Sequence, residues 1–121
     1  MQAFRAAVEA QDIEAAIALL ADDVVFNSPV VFKPYQGREA VGVLLRAVFE
    51  VFQDFRYLSE VCDGPDIVLV FEARVGDRDL QGADFLHLDE ADAIDRFTVM
   101  VRPLNATLAL AEAMQAQLSP S

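Results

Sequence analysis

Cysteine and histidine each occur once in these 121 residues, and tryptophan is absent. A lone Cys62 excludes an intramolecular disulfide and suits a reducing, cytoplasmic setting. Within its apolar segment it reads as a small buried hydrophobe. With His87 as the one histidine, and no His-x-x-x-His or Cys-x-x-Cys pair, no chelated metal is expected. A Gly-rich phosphate loop and a Gly-x-Ser-x-Gly elbow are also missing, so no cofactor is expected. Basic residues are scarce, nine against twenty acidic, for a formal charge of −11. Phosphate backbones and anionic bilayers attract clustered Lys and Arg, so neither nucleic acid nor membrane is an expected partner. No apolar run approaches the ~20 residues of a membrane span. Met1-Gln-Ala-Phe-Arg soon reaches Glu9, Asp12 and Glu14, which does not read as a secretory signal.

What is present is apolar: 55% of residues are hydrophobic, enough for a buried core and against disorder. The length and the lack of linkers or repeats suggest a single domain over 1–121. Helical spacing marks residues 2–10 and then 13–20, the latter capped by Asp12, with Asp22 and Asp23 at its exit. A short strand, 24–28, stops at Pro29, and Val30-Val31-Phe32 offers a second, edge strand. The apolar stripe Val41, Leu44, Leu45, Val48, Phe49, Phe52 predicts a long helix over 38–52. Strands follow at 54–62, 66–75, 78–89 and 93–102, punctuated by Gly64-Pro65, Gly76-Asp77 and Glu90-Ala91-Asp92. A last helix is expected over 104–118. Helices followed by a strand meander predict an α+β fold: a cone-shaped, curved antiparallel sheet wrapped around the long helix, with N-terminal helices and a C-terminal helix. Such a sheet leaves a concave apolar interior, where a ligand site is sought first.

Period-two alternation assigns the faces. Ile67, Leu69 and Phe71, with Phe97, Val99 and Val101, belong to uncharged sets and should line the concavity with Phe26. On strand 78–89 the apolar set is Leu80, Gly82, Asp84, Leu86, Leu88, with a carboxylate in its middle. An inward Asp84 would lose hydration and favour its protonated form, which donates a hydrogen bond to a developing oxyanion. A β-bulge near Gly82 that turns it outward, or a structural hydrogen bond in the core, are the alternatives. His87 falls in the polar set and reads as a surface residue beside Asp79 and Asp89, unless a bulge inverts the phase and turns it into the pocket. The facing of Tyr35 and Tyr57 stays open.

Asp12-Ile-Glu-Ala, Ala21-Asp-Asp-Val, Gly37-Arg-Glu-Ala and Leu88-Asp-Glu, in this order and spacing, resemble the nuclear transport factor 2-like superfamily. The likeness is specifically to its ketosteroid isomerase and SnoaL-like polyketide cyclase branch. The resemblance implies a general-base aspartate before the proline ending the first strand, where this chain has Ser28. It implies an oxyanion tyrosine where Phe4 stands, and further pocket tyrosines where Leu20 and Leu45 stand. Only the oxyanion aspartate has its counterpart, in Asp84. A limonene-type epoxide hydrolase would need an arginine at Gly82. SnoaL-type cyclases rely on an acid at the Asp84 position, so that likeness is the more useful.

The expected function is a small-molecule pocket, that of an isomerase, cyclase or lyase acting on an apolar carbonyl compound. Asp84 would be its acid, and Ser28 would hold substrate or water. A non-catalytic binding or accessory protein for a hydrophobic ligand, and a dimerising association module, are the alternatives. Val68, Val70, Phe85 and Met100 interrupt the polar sheet face, which predicts a homodimer with Arg56, Arg74, Arg96 and Arg102 around the interface. The charge-poor segment 104–118 should be packed, either as a lid over the cavity or against a partner subunit, or as plain core.

Overall fold

The computed structural model describes residues 2–119. Helix α1 (Ala3–Glu9) starts at Gln2, whose side chain accepts from the Phe4 and Arg5 amides, and it buries Phe4 and Val8. Helix α2 (Ile13–Ala18) is capped by Asp12, whose carboxylate accepts from the Ala15 amide at 3.0 Å. It is shorter than expected, because strand β1 (Leu20–Asn27) already begins at Leu20. Asp22 and Asp23 thus lie inside the strand, exposed, where its register against a neighbour slips between Leu20 and Val25. That irregularity lets Leu20, Ala21 and Val24 all point into the core while the two carboxylates stay in water.

Val30-Val31-Phe32 forms no strand. Pro29 and Pro34 bracket it, Ser28 Oγ accepts from the Val30 amide, and Phe32 is fully exposed. The edge strand is instead β2, Tyr35–Gln36, antiparallel to β1. Gly37, at φ 94°, turns the chain into helix α3 (Arg38–Val51), whose Val41, Leu44 and Leu45 are buried. Strands β3 (Gln53–Asp63), β4 (Asp66–Val75), β5 (Arg78–Leu88) and β6 (Ile94–Arg102) form the meander. Its two tight turns carry Gly64 and Gly76, both at φ 60°. Helix α4 (Leu104–Leu118) follows.

These elements make an α+β fold with one six-stranded, curved and unclosed sheet, in the order β2-β1-β6-β5-β4-β3. The meander is antiparallel, as expected, but β1 runs parallel to β6, so the sheet is mixed. Alternation along single strands cannot reveal that direction, because it fixes which face a residue takes and not its neighbour. The inner face packs on α3, with α1 and α4 at either end. Cys62 is exposed rather than buried, since β3 is an edge strand and Cys62 lies near its end. No helix among the described residues is long and apolar enough to cross a membrane.

Candidate functional site

Strand β5 pairs without interruption from Asp66↔His87 to Val75↔Arg78, so no bulge disturbs Gly82 or Asp84. Asp84 therefore keeps its inward phase, between Leu69 on β4 and Val99 on β6. It is 6% exposed and is the one charged residue type in the core among the described residues. Tyr57 donates its hydroxyl to Asp84 Oδ2 at 3.2 Å. Tyr57 is inward because it pairs with inward Phe71 in phase with Phe55, and a bulge between Tyr57 and Ser59 then leaves Leu58 on the solvent side and turns Val61 outward. Among the described residues no cation pairs with the carboxyl. Burial raises the Asp84 pKa to about 7, while the Tyr57 hydrogen bond pulls it down. The Tyr57 phenol is itself raised, by burial first and then by the Asp84 charge. Tyr57 thus remains a proton donor across the ordinary pH range.

Asp84 stands in the wall of a cavity of about 370 Å³. Phe26, Leu45, Phe71, Phe97 and Val99, all expected in the wall, line it. Ser28 also lines it, at the mouth beside Pro29, Val30 and Val31, and Tyr35 faces inward there. No hydrogen bond joins Ser28 to Asp84 among the described residues; the hydroxyl oxygen instead accepts from the Val30 amide. Phe4, Ile67, Leu69 and Val101 are not wall residues. Phe4 is buried edge-on against Phe97, with ring centroids 5.2 Å apart. Ile67 and Leu69 alternate inward as expected but lie toward the end of the sheet that α1 covers. There Glu60, paired with Leu69, binds the Gln2 amide and Arg5. Val101 is half-buried where the chain turns into α4, with Thr107 Oγ1 donating to its carbonyl.

The remaining wall comes from residues not singled out in advance as ligand contacts. Phe49 of α3, Phe52 just past its end and Phe55 of β3 join Phe71 in an aromatic cluster, Phe55 stacking on Phe71 at 5.0 Å. Leu110, Met114 and Leu118 of α4 close the opposite side. The sequence did carry a signal for the first group, since four phenylalanines crowd residues 49–55 and 71 on one side of the core. His87 lies on the outer face, as expected, but its partner is Asp95, with Nδ1 2.6 Å from Oδ1. Asp89 caps its own turn by accepting from the Ala91 and Ala93 amides, and Asp79 sits opposite Arg74. Among the described residues no group of three or more His, Cys, Asp or Glu is placed to hold a metal ion.

Residues 1–100 match the SnoaL-like domain family. The chain belongs to that family. This SnoaL-like domain is similar to a steroid delta-isomerase from Pseudomonas aeruginosa, 40% identical over 93% of this chain and 84% of that one, with TM-score 0.89. It is also similar to an uncharacterised cystatin-like-fold protein from Silicibacter pomeroyi. The two are 36% identical over 95% and 82% of the chains, with TM-score 0.90. A SnoaL-like protein of unknown function from Burkholderia thailandensis, 14% identical over 84% and 90% of the chains, shares the fold at TM-score 0.69. Among curated proteins nothing matches. Membership places the SnoaL-like domain in the nuclear transport factor 2-like superfamily. In chemical terms its cavity offers one protonatable carboxyl, held by a phenol, in a largely apolar wall.

Proposed function

We propose that the cavity binds an apolar small molecule bearing a carbonyl group, and that neutral Asp84 donates a hydrogen bond to its oxygen. The burial of Asp84 beside Tyr57 in an apolar wall carries this reading. Charge developing on a carbonyl oxygen is stabilised most where water is excluded and the donor is already oriented. Tyr57 fixes one carboxyl oxygen, and Oδ1 has no protein partner among the described residues. The chemistry fits an isomerase, cyclase or lyase that enolises its substrate, and the 40% identity to a steroid delta-isomerase supports that class. Ser28 positions substrate or water at the mouth. The single contiguous core supports one domain over 1–121, and the exposed, unpaired Cys62 a cytoplasmic location.

A second reading, a non-catalytic binding or accessory protein for a hydrophobic ligand, has its own observation. Ser28 stands where a base is needed, and its hydroxyl cannot take an α-proton unaided. Deuterium incorporation into 2-acetylnaphthalene's α-carbon in D2O separates the two. An enzyme accelerates exchange, and Asp84→Leu then slows it by on the order of 10²-fold. Binding without acceleration supports the second reading, and no binding by the wild type refutes both.

The outer sheet face supports a homodimer. Val61, Phe85 and Met100 are exposed there, with Val68 and Val70 half-buried, between rows that hold Arg56, Glu72 and Arg102 on one side and His87 and Arg96 on the other. Arg56 is paired with Glu72, and Arg74 with Asp54. Light scattering at micromolar concentration should give twice the chain mass, and Met100→Glu should halve it. A wild-type monomer refutes the dimer.

A further inference from the structure

Gly82 faces inward on β5, two residues before Asp84 and directly opposite Phe71 of β4. A methyl group in place of its hydrogen would fall onto Phe71 Cζ, 2.7 Å from Cε2 and 2.9 Å from the Met100 carbonyl oxygen. The Phe71 ring therefore lies across the strand, in the space that any other residue at 82 would fill. Its other sides are taken. Phe55 stacks on it at 5.0 Å, Phe52 sits at 5.8 Å, and Tyr57 lies edge-on at 6.5 Å. The ring borders open space only where it lines the cavity with Asp84, so that is where a displaced ring finds room.

From this geometry we infer that Gly82 is a specificity-determining position. By letting Phe71 lie flat on the sheet, it sets how deep the cavity is beside Asp84, and hence the size of carbonyl compound that reaches the acid. The inference rests on the proposed ligand class. A side chain at 82 displaces the ring into the ligand's volume, which penalises a bulky ketone and spares a small one. Removing ring atoms at 71 does the reverse. The pair acts as one unit, so the two substitutions should compensate each other.

The test measures affinities for cyclohexanone and 2-acetylnaphthalene by calorimetry, at a pH well below the Asp84 midpoint. Gly82→Ala should weaken the naphthyl ketone about tenfold relative to cyclohexanone, the scale of a steric change in an apolar pocket. Phe71→Leu should shift the ratio the other way. Gly82→Ala/Phe71→Leu, which removes the ring atoms and leaves only the 2.9 Å approach of the new methyl to the Met100 carbonyl oxygen, should return the ratio to within about threefold of wild type even if Gly82→Ala alone does not fold. A ratio unchanged in Phe71→Leu, or not restored in the double variant, overturns the inference while leaving the ligand class intact. Equal weakening of both ketones by a folded Gly82→Ala does the same. Binding of neither ketone by the wild type overturns the ligand class, and this inference with it.

Discussion

Burial raises the Asp84 pKa to about 7 from an ordinary 3.8, so the folded chain binds this proton more tightly than the unfolded chain does. The resulting stabilisation is complete below 3.8 and is lost as pH rises through about 7. Unfolding by urea across that window should show stability falling with pH, and Asp84→Asn should flatten the fall. Because the Tyr57 hydroxyl favours the charged form, Tyr57→Phe should move the Asp84 midpoint upward in a carboxyl-resolved NMR titration. A downward move would mean that the phenol does not donate to the carboxylate. Of this pair, Asp84 was legible in the sequence and Tyr57 was not. An inward carboxylate follows from counting by twos along one regular strand. On β3 an extra residue at Leu58 reverses the phase after Tyr57, so alternation over the whole strand is inconsistent, and a bulge leaves no mark in a pattern of apolar and polar letters.

Helix α4 divides its labour along its length. Ala106 and Leu110 are buried, whereas Met114 and Leu118 are only partly covered and look onto the cavity, which Leu110 also touches. Leu110→Ala should cost about 2–5 kcal/mol of folding stability, the range for truncating a core leucine. Met114→Ala should leave thermal unfolding nearly unchanged and instead speed release of a neutral apolar probe such as Nile red. Equal effects of the two on stability would make the helix core throughout. The low charge of 104–118 predicted a packed helix, yet only Ala106 and Leu110 are buried while Leu104 and Leu108 stand exposed, because composition does not say which face meets the core. The same holds for β1, where Asp22 and Asp23 resemble a helix exit until the strand's slipped register against β6 is known. Helices α3 and α4 and the meander were legible within a residue or two, since each is long and strongly periodic.

Over the whole molecule, a charge of −11 sits on a chain with nine cations. Most of the described ion pairs are at the surface and contribute little each, so like-charge repulsion opposes folding. Raising the salt concentration should increase the melting temperature. A flat response would mean that the surface pairs already offset the excess. The pairing of β1 with β6 has a different consequence, one of timing. Strands β3 to β6 are near neighbours in sequence and can zip together through short turns, but β1 must wait for a strand whose first residue lies 74 positions after its own. Contacts so distant along the chain form slowly. In pulsed hydrogen exchange during refolding, amides of β4 and β5 should gain protection before those of Val24 and Phe26. Until β1 docks, one edge of β6 stands open, and on the ribosome that edge appears only after β1 to β5 have been made. The nascent protein thus completes its sheet with the strand it has carried longest.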